Sequence, residues 1–471
     1  MRFVTIALLI ASFLLLLSRC SKDESSPLIS VNDDNFLKAL IESGIDKDGN
    51  GNISLAEAEI VNSLDVSNDS ISDMKGIENF VNLDTLRCYN NRLSSIDISD
   101  LVSLKYLDCR GCGLSSLNIS RLAELGYLDC GVYGTESGLS QNYLTNIDVS
   151  QNTALKTLFC DWNELTALDL SSNTLLEKLS CTSNKILYLD VSSNINLKNV
   201  VCSWNQLSGL DLSGNTALET LDCNCNRLTS LNVTKNTGLL QLACGGNLLN
   251  NVDFSANSEL TDLYCGGNPL TDLDVSQNIV LKNLSCTGAD LTDLDVSHNI
   301  QLESLDCSEN ELTGIDISGN PLLNTLNCGT NQLTSLDVSN SMTLEGLDCR
   351  DNNLVSLDVS GIASLQWLVC SDNSLNSLNL SGCTALLYLY CDNAGLTNLD
   401  ISGNTALTTI ECAGNQLITL DISNNISLEL AGLQNMPALH KVCVWETPFP
   451  PGGLTIWSSG SPNIYFTTDC K

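Results

Sequence analysis

The sequence predicts a solenoid in which short parallel strands stack from one coil to the next. Three observations lead to this prediction. Cysteines recur every 21 residues from Cys160 to Cys412, an earlier series at Cys88, Cys109 and Cys130 has the same spacing, and every copy carries the same apolar pattern. One such coil cannot bury its own apolar face, so neighbouring coils must cover each other.

The repeat itself indicates which residues point inward. Sixteen copies read L-x-x-L-x-C-x-x-N-x-L-T-x-L-D-V-S-x-N-T-x, and residues 323–339 show one of them. Because alternate strand residues point to opposite faces, we expect the Leu and Cys of each L-x-C segment to be buried. The Asn three residues after each Cys is expected to satisfy backbone groups of its turn and of the next coil. Nine extra residues interrupt the series near 134–142.

This pattern resembles the leucine-rich-repeat consensus, with Cys in place of its third Leu. The 21-residue period is similar to the cysteine-ladder repeats of internalin J-type bacterial surface proteins. The resemblance covers Leu83 to about Leu428. It implies a leucine-rich-repeat solenoid of the α/β type, built mainly from short parallel strands, and a surface adhesin. It implies no ligand residues.

The first residues are typical of an exported protein. Arg2 precedes an apolar run from Val4 to Leu17, which is too short for a membrane span of about 20 residues and fits a secretory signal. Residues 17–20, Leu-Ser-Arg-Cys, resemble a bacterial lipobox, and the following Ser-Lys-Asp-Glu resembles the surface-export signals of Bacteroidetes-type lipoproteins. The resemblance implies that Cys20 is lipidated and that the protein is an outer-membrane lipoprotein at the cell surface. The alternative is simple secretion.

The sequence patterns divide the chain into five segments: a signal peptide (1–19), a tether (20–30), a helical N-terminal cap (31–70), the solenoid (71–430) and a C-terminal cap (431–471). Caps are expected because the end coils of a solenoid otherwise expose apolar surface. The last segment breaks the repeat and concentrates aromatic residues. We expect a disulfide between Cys443 and Cys470 to hold it together.

The N-terminal cap contains a metal-binding motif. Residues 46–57, Asp-Lys-Asp-Gly-Asn-Gly-Asn-Ile-Ser-Leu-Ala-Glu, match the EF-hand calcium loop between predicted helices at 35–43 and 55–63. The motif predicts that Asn52 binds the ion through its backbone carbonyl. The other predicted ligands bind through side-chain oxygens: Asp46, Asp48, Asn50, Ser54 and Glu57. The sequence therefore predicts one structural Ca²⁺. The alternative is a polar turn that no longer binds calcium.

The cysteines of the repeat are predicted to be packing residues. They occupy one inward position of successive strands, where a free Cys behaves as a small apolar side chain. A linear stack also cannot offer four tetrahedral thiolates to one metal. Cys109 and Cys112 form a C-x-x-C pair, a spacing found in redox and zinc sites. We favour a structural interpretation because Cys112 falls on the Asn position of the repeat.

Charge and composition exclude several functions. The formal net charge of −34 disfavours binding to nucleic acid and to anionic lipid, so membrane contact is expected only through the anchor. The two histidines are isolated and the recurring Asp and Ser belong to the repeat, so the chain is not expected to be an enzyme. Thirteen Asp and three Asn occupy one repeat position, as at Asp169. They are expected to accept hydrogen bonds from turn amides rather than to bind cations.

The variable outward positions beside each strand indicate a binding face. Exposed aromatic residues are enriched in interaction hot spots and also stack on sugars, although scattered ones can be meaningless. The sequence therefore predicts a monomeric binding protein for a protein or glycan partner, and a scaffold or adaptor in surface assembly is the alternative. The predicted contacts form an N-terminal and a C-terminal cluster: Phe159, Trp162 and Trp204, then Asp348, Trp367, Tyr388 and Tyr390.

Overall fold

The computed structural model describes residues 26–132 and 141–470. The chain forms two compact units, Met1–Leu155 and Lys156–Lys471. Apart from two short helices and a 3₁₀ turn, the regular structure of the described residues consists of three-residue strands that pair in parallel. The predicted leucine-rich-repeat solenoid with 21-residue coils is confirmed. The leader, Cys20 and most of the nine-residue insertion lie outside the described residues.

Helix α1 (Asp34–Glu42) starts the first unit. The Asp33 carboxylate accepts a hydrogen bond of 2.9 Å from the Phe36 amide, and this cap starts the helix. Phe36 and Leu40, four residues apart and hence on one helix face, are fully buried. The Asp33 carboxylate also accepts the Ser72 amide at 2.9 Å, so the cap joins the helix to the segment that leads into the first coil.

Helix α2 (Leu55–Glu59) is shorter than the sequence predicted. It begins at a capping box, in which the Ser54 hydroxyl and the Glu57 carboxylate each accept a backbone amide of the other residue. The expected helix ran to residue 63. It ends at Glu59 because Ser63–Asp65 already forms the first strand of the parallel sheet.

Four strands of the first unit pair in parallel in chain order. They are β1 (Ser63–Asp65), β2 (Thr85–Arg87), β3 (Tyr106–Asp108) and β4 (Tyr127–Asp129). Since β1 lies inside the segment predicted as the N-terminal cap, the sheet begins one coil earlier than the cysteine series indicates.

The second unit contains the remaining strands. They are β5 (Thr157–Phe159), β6 (Lys178–Ser180), β7 (Asn199–Val201), β8 (Thr220–Asp222), β9 (Gln241–Ala243), β10 (Asp262–Tyr264), β11 (Asn283–Ser285), β12 (Ser304–Asp306), β13 (Thr325–Asn327), β14 (Gly346–Asp348), β15 (Ser356–Asp358), β16 (Trp367–Val369), β17 (Ser377–Asn379), β18 (Tyr388–Tyr390), β19 (Thr409–Glu411), β20 (Thr419–Asp421), β21 (Leu430–Gly432), β22 (Lys441–Cys443), β23 (Thr455–Trp457) and β24 (Tyr465–Thr467).

Most of these strands form one parallel ladder with one strand from each coil. The ladder runs in order from β5 to β14 and continues through β16, β18, β19, β21 and β23. Two smaller parallel groups, β15–β17 and β20–β22–β24, lie elsewhere on the same coils. The central residue of each ladder strand pairs with the central residue of the next, as Leu158 does with Leu179.

The core follows the predicted inward positions. Leu158 and Cys160 are fully buried, and the equivalent residues of the other coils are buried in the same way. Leu168 and Leu170 fill the opposite side of the coil, as expected. Because every coil supplies the same side chains at the same height, the core is a set of parallel apolar rows.

The predicted Asn ladder is present, with one correction. The Asn184 amide nitrogen donates to the carbonyls of Cys181 in its own coil and of Cys160 in the preceding coil, both at 3.0 Å. The side-chain Oδ1 of Asn184 accepts the backbone amide of Leu165 at 3.0 Å. The bonds between coils therefore run back to the preceding coil, whereas the sequence predicted the next one.

The sequence reasoning missed a second Asn ladder on the far side of the coils. Asn215 is fully buried, and its side-chain nitrogen donates to the backbone carbonyls of Val191 at 3.0 Å and Asn194 at 2.9 Å. Cys383 occupies the same place in a later coil and donates from its sulfur to Val359. This ladder corresponds to the second Asn of the consensus, which gave a recognisable signal.

The last segment also differs from the prediction. Residues 431–471 were expected to form a compact cap that breaks the repeat, but β22, β23 and β24 keep the parallel pairing of the preceding strands. The coils merely become longer, because Val442 follows its partner Leu420 by 22 residues and Ile456 follows Ala431 by 25. The end of the stack is therefore made of irregular coils.

Candidate functional site

The EF-hand loop has the geometry expected of a cation site. Oxygen atoms of Asp46, Asp48 and Glu57 all lie within 4.8 Å of one another. The Asp46 carboxylate accepts the amides of Gly49 at 2.8 Å and Gly51 at 2.9 Å, so the loop backbone wraps around it. Both glycines have a positive φ, which suits glycine at these sharp turns. The carboxylates therefore converge as the motif requires.

The other predicted calcium ligands lie on the same loop. The Asp48 carboxylate accepts the backbone amide of Asn50 at 3.0 Å, and the side-chain Oδ1 of Asn50 accepts the backbone amide of Asn52 at 2.8 Å. The Ser54 hydroxyl instead donates to Glu57 at 2.7 Å, where it belongs to the cap of α2. Hydrogen bonds from the Ser54 amide and hydroxyl lower the pKa of Glu57 to about 2. Glu57 is therefore ionised at neutral pH.

A short backbone pairing supports this loop from outside. The amide of Ile29 donates to the carbonyl of Ile53 at 2.9 Å, and the amide of Leu55 donates to Pro27 at 2.8 Å. Ile53, the predicted inward residue of the loop, is buried. The last residues of the predicted tether therefore pair in antiparallel fashion with the loop.

The cysteines behave as packing residues where the structure describes them. The cysteines of the 21-residue series are buried free thiols. Burial raises the pKa of Cys286 and of Cys328 to about 12, so both stay protonated at neutral pH. Cys112 takes the place of an Asn in the first ladder, and its sulfur donates to the Cys88 carbonyl at 3.0 Å. The structural interpretation of the C-x-x-C pair is supported.

Cys443 and Cys470 lie next to each other at the end of the chain. Their sulfur atoms and a carboxylate oxygen of Asp421 lie within 4.8 Å of one another. Both cysteines are thiols in the structure, and the pKa of Cys443 is raised to about 11 by burial and by the neighbouring Cys470. The proximity agrees with the expected pairing, and the disulfide stays a prediction.

The predicted N-terminal cluster of aromatic residues lies at the exposed side of the ladder, which we call the strand face. Phe159 is the last residue of β5 and is half-buried. Trp162 and Trp204 lie two residues beyond the Cys of their coils and are 40% and 63% exposed. Both have a left-handed backbone, with φ of 53° and 54°. Glycine takes this place in other coils, for example Gly246.

The predicted C-terminal cluster is only partly available to a partner. Trp367 and Tyr388 are neighbours on β16 and β18, and Tyr390 follows at the end of β18. The prediction is wrong for Asp348, because this residue is only 5% exposed and its carboxylate accepts hydrogen bonds from Nε and Nη2 of Arg350. Its role is to hold Arg350 against the sheet, so we remove it from the contact residues.

Two charged groups of the strand face were not found from the sequence. Asp161 is buried and accepts the Ser180 hydroxyl at 2.5 Å and the Thr182 amide at 2.6 Å. Burial raises the pKa of Asp161 to about 6. In the first unit, Arg110 lies between the carboxylates of Asp108 and Asp129, at 2.8 and 3.3 Å. The repeat consensus does not reveal either arrangement, because these positions vary from coil to coil.

The row of Asp residues is explained by local hydrogen bonds. Asp169 accepts the amide of Ser171 at 3.0 Å, and Asn232 accepts the amide of Thr234 at 3.1 Å in the same way. Hydrogen bonds from the side chain and the amide of Ser171 lower the pKa of Asp169. An Asn therefore replaces an Asp because both supply the same acceptor, as the sequence predicted.

The fold and the cysteine ladder can be compared with known proteins. The chain is similar to the functional domain of InlJ from Listeria monocytogenes, which includes a cysteine ladder, with 32% identity, a TM-score of 0.62 and coverage of 87% of this chain and 79% of that one. A leucine-rich-repeat protein from Leptospira interrogans shares 24% identity and a TM-score of 0.61, over 77% of this chain and 92% of the other.

A more distant likeness extends to plants. The ectodomain of the receptor kinase GASSHO1/SCHENGEN3 from Arabidopsis thaliana, solved with CASPARIAN STRIP INTEGRITY FACTOR 2, has 20% identity and a TM-score of 0.61, over 83% of this chain and 56% of the other. No protein-family model and no curated protein matches the sequence. None of the helices in the described part of the chain is long and apolar enough to cross a membrane. The identity to InlJ, its coverage and the shared row of buried cysteines show that this chain belongs to the cysteine-ladder leucine-rich-repeat proteins.

Proposed function

We propose that the protein is a binding protein of the cell surface that holds a protein partner on the strand face of its second unit. The observation that carries the proposal is the backbone of Trp162 and Trp204. A bulky residue with positive φ costs about 1 kcal/mol relative to glycine or asparagine. Two exposed tryptophans in this conformation indicate a use for their side chains that offsets this cost.

The spacing of the two tryptophans fits an extended ligand. They lie two coils apart, with Ser183 in the equivalent place between them. Neighbouring strands are about 4.8 Å apart, so the two backbones lie roughly 10 Å apart along the ladder. An extended peptide segment spans this distance with three residues. A plant receptor ectodomain of the same fold was solved in complex with CASPARIAN STRIP INTEGRITY FACTOR 2, which supports a macromolecular partner.

The experiment compares the purified protein with the Trp162→Ala/Trp204→Ala variant in capture of surface proteins and on a glycan array. The double change is expected to weaken binding by at least 2 kcal/mol, or roughly 30-fold, if both residues are hot spots. Asp169→Asn, away from the strand face, is the matched control. If the captured partner binds the double variant as well as the native protein, Trp162 and Trp204 are not its binding site. Ordered self-association instead would support the scaffold alternative.

We also propose that the EF-hand loop binds Ca²⁺. The support is the convergence of Asp46, Asp48 and Glu57, whose carboxylates repel one another without a cation. The ion would supply positive charge at their meeting point. Asp46 would bind the ion from the start of the loop and Glu57 from helix α2, so the ion would link the two ends of the loop.

The localisation rests on the leader. We propose that Cys20 is lipidated and that the tether 20–30 connects the anchor to the EF-hand cap. The support is the lipobox-like sequence, together with the pairing of Ile29 with Ile53, which places the end of the tether against a folded cap. Secretion without an anchor is the alternative that the Cys20 variant below tests.

A further inference from the structure

The strand face of β16, β18 and β19 combines partly exposed aromatic rings with carboxylates that form no salt bridge among the described residues. We propose that this surface receives a Lys or Arg side chain of the protein partner; the inference rests on the proposed function and adds the chemistry of the partner. We call it the acidic aromatic surface and define it by its residues: Trp367, Tyr388, Tyr390, Asp372, Asp392 and Glu411.

The register of the strands brings these residues together. Trp367 lies beside Tyr388, and Tyr390 lies beside Glu411 on the next strand. Asp392 lies two residues after Tyr390 on the same coil, with the buried Cys391 between them. A depression of about 350 Å³ is lined by residues of three successive coils: Arg350, Val369, Ser371, Asp372, Tyr390 and Asp392. Its volume suits a single long side chain.

The floor of the surface is fixed by packing. The indole of Trp367 lies against Gly346 of β14, where an added Cβ would come within 2.0 Å of the ring. A larger residue at 346 would therefore push the indole out of this position. Val369 adds an apolar side chain between Trp367 and the depression. The aromatic part of the surface is thus held in place before any partner arrives, which lowers the entropy cost of binding.

The protein compensates only part of the charge of this surface, through Arg350, which lines the depression and interacts electrostatically with Asp372. Arg350 is already held by Asp348. Among the described residues, no Lys or Arg nitrogen lies within 4.0 Å of the carboxylates of Asp372, Asp392 or Glu411. Asp392 accepts the Ala413 amide at 2.6 Å, and Asp372 accepts the Asn393 side-chain amide at 3.1 Å. These neutral donors leave the negative charge in place.

The pKa shifts of Asp392 and Glu411 also favour binding of a cation at this surface. Burial raises the pKa of Asp392, and burial and the charge of Asp392 raise the pKa of Glu411. Both shifts mean that the ionised forms are less stable here than in water. An incoming ammonium or guanidinium would reverse that destabilisation and would also contact the ring of Tyr390, which lines the depression, through a cation–π interaction. A neutral glycan would stack on the rings but leave the carboxylates uncompensated.

The test measures binding of a defined peptide of four Gly-Lys repeats to the purified protein by calorimetry. The Nε-acetylated form of the same peptide keeps the length and removes the charge. We compare native protein with Asp392→Asn/Glu411→Gln, and with Tyr390→Ala. The matched control is Asp274→Asn/Asp316→Asn, which removes two charges elsewhere and keeps the acceptors that bind Ser276 and Ser318.

We expect the site pair and Tyr390→Ala each to weaken peptide binding by about tenfold or more, and the control pair by less than about twofold. The acetylated peptide should not bind. Equal weakening by both charge-neutralising pairs would show attraction to the overall charge of the protein, and unchanged binding by the site pair would place the peptide elsewhere; either result overturns the inference.

The inference can fail while the proposed function holds. This result would be seen if a protein partner loses affinity for the Trp162→Ala/Trp204→Ala variant but binds Asp392→Asn/Glu411→Gln as well as the native protein. A glycan whose binding is lost in Tyr390→Ala and kept in the acidic pair variant would assign the surface to sugar recognition instead.

Discussion

The Oε1 atom of Glu57 accepts a hydrogen bond of 2.7 Å from the backbone amide of Lys47. The start of the EF-hand loop and helix α2 are therefore already joined through one carboxylate. Glu57 is the twelfth residue of the loop, the one that binds calcium through both oxygens in this motif. The loop is shaped for the ion by contacts that do not need it.

Calcium should raise the melting temperature of the protein. An ion that binds only the folded cap stabilises it by about 2.7 kcal/mol when its concentration is 100 times the Kd. We expect a shift between chelator and several millimolar calcium in a thermal melt, and its loss in Asp46→Ala. Asp65→Ala, in the neighbouring coil, is the control. Native protein that melts identically in both conditions would identify the loop as a polar turn.

Cys20→Ser should release the protein from the membrane or leave it as an unprocessed precursor, because only the thiol can carry the lipid. The measurement is fractionation with mobility of the mature band. Ser21→Ala is the control and should be retained and processed like the native protein. Normal retention of Cys20→Ser would leave secretion or another anchor as the explanation.

The buried thiols should make the protein unstable at alkaline pH. Their pKa is raised from 9.0 in the unfolded chain to about 12 in the fold, for example at Cys244 and Cys370. The unfolded state therefore loses protons first, so the stabilisation is complete below about pH 9 and is lost as the pH rises through the folded pKa. Chemical denaturation between pH 7 and pH 11 should show this fall.

The same prediction can be checked with a single variant. Cys265→Ala should lose about 1 to 2 kcal/mol at neutral pH through the missing sulfur contacts. It should also release one proton fewer on unfolding above pH 9, since one thiol is gone. Ladder cysteines found bonded to one another would contradict the thiol assignment.

Asp161→Asn should stabilise the protein at pH 8. The pKa of Asp161 is raised from 3.8 to about 6, so its contribution to stability is present below pH 3.8 and lost as the pH rises through 6. Asparagine keeps an acceptor for Ser180 and Thr182 without the buried charge. We expect a gain of about 2 kcal/mol at pH 8 and little change at pH 4. A loss at pH 8 would show that the carboxylate is needed.

Asn215→Ala should cost about 1 to 3 kcal/mol, because it removes two buried hydrogen bonds to the carbonyls of Val191 and Asn194, each of which keeps only its backbone donor. The matched control is Asn196→Ala. Its amide donates to Thr174 at 2.9 Å on the exposed side, where water can replace it. Urea denaturation of both variants gives the comparison, and equal costs would contradict a special role for the buried ladder.

The sequence by itself determined the coil. The 21-residue period gave the inward Leu and Cys, the turn Asn and the amide-binding Asp, because each lies at a fixed distance along the chain from the groups it contacts. It also identified the EF-hand loop, whose ligands are contiguous. Tertiary structure decided what depends on neighbouring coils. Three features join residues about 20 or more apart: the bond of Asn184 back to Cys160, the contact of Trp367 with Gly346 and the continued pairing of β22 to β24. The burial of Asp348 under Arg350 depends on variable positions outside the consensus. Repetition fixes the backbone that such positions share, but their side chains respond to whatever the adjacent coil presents.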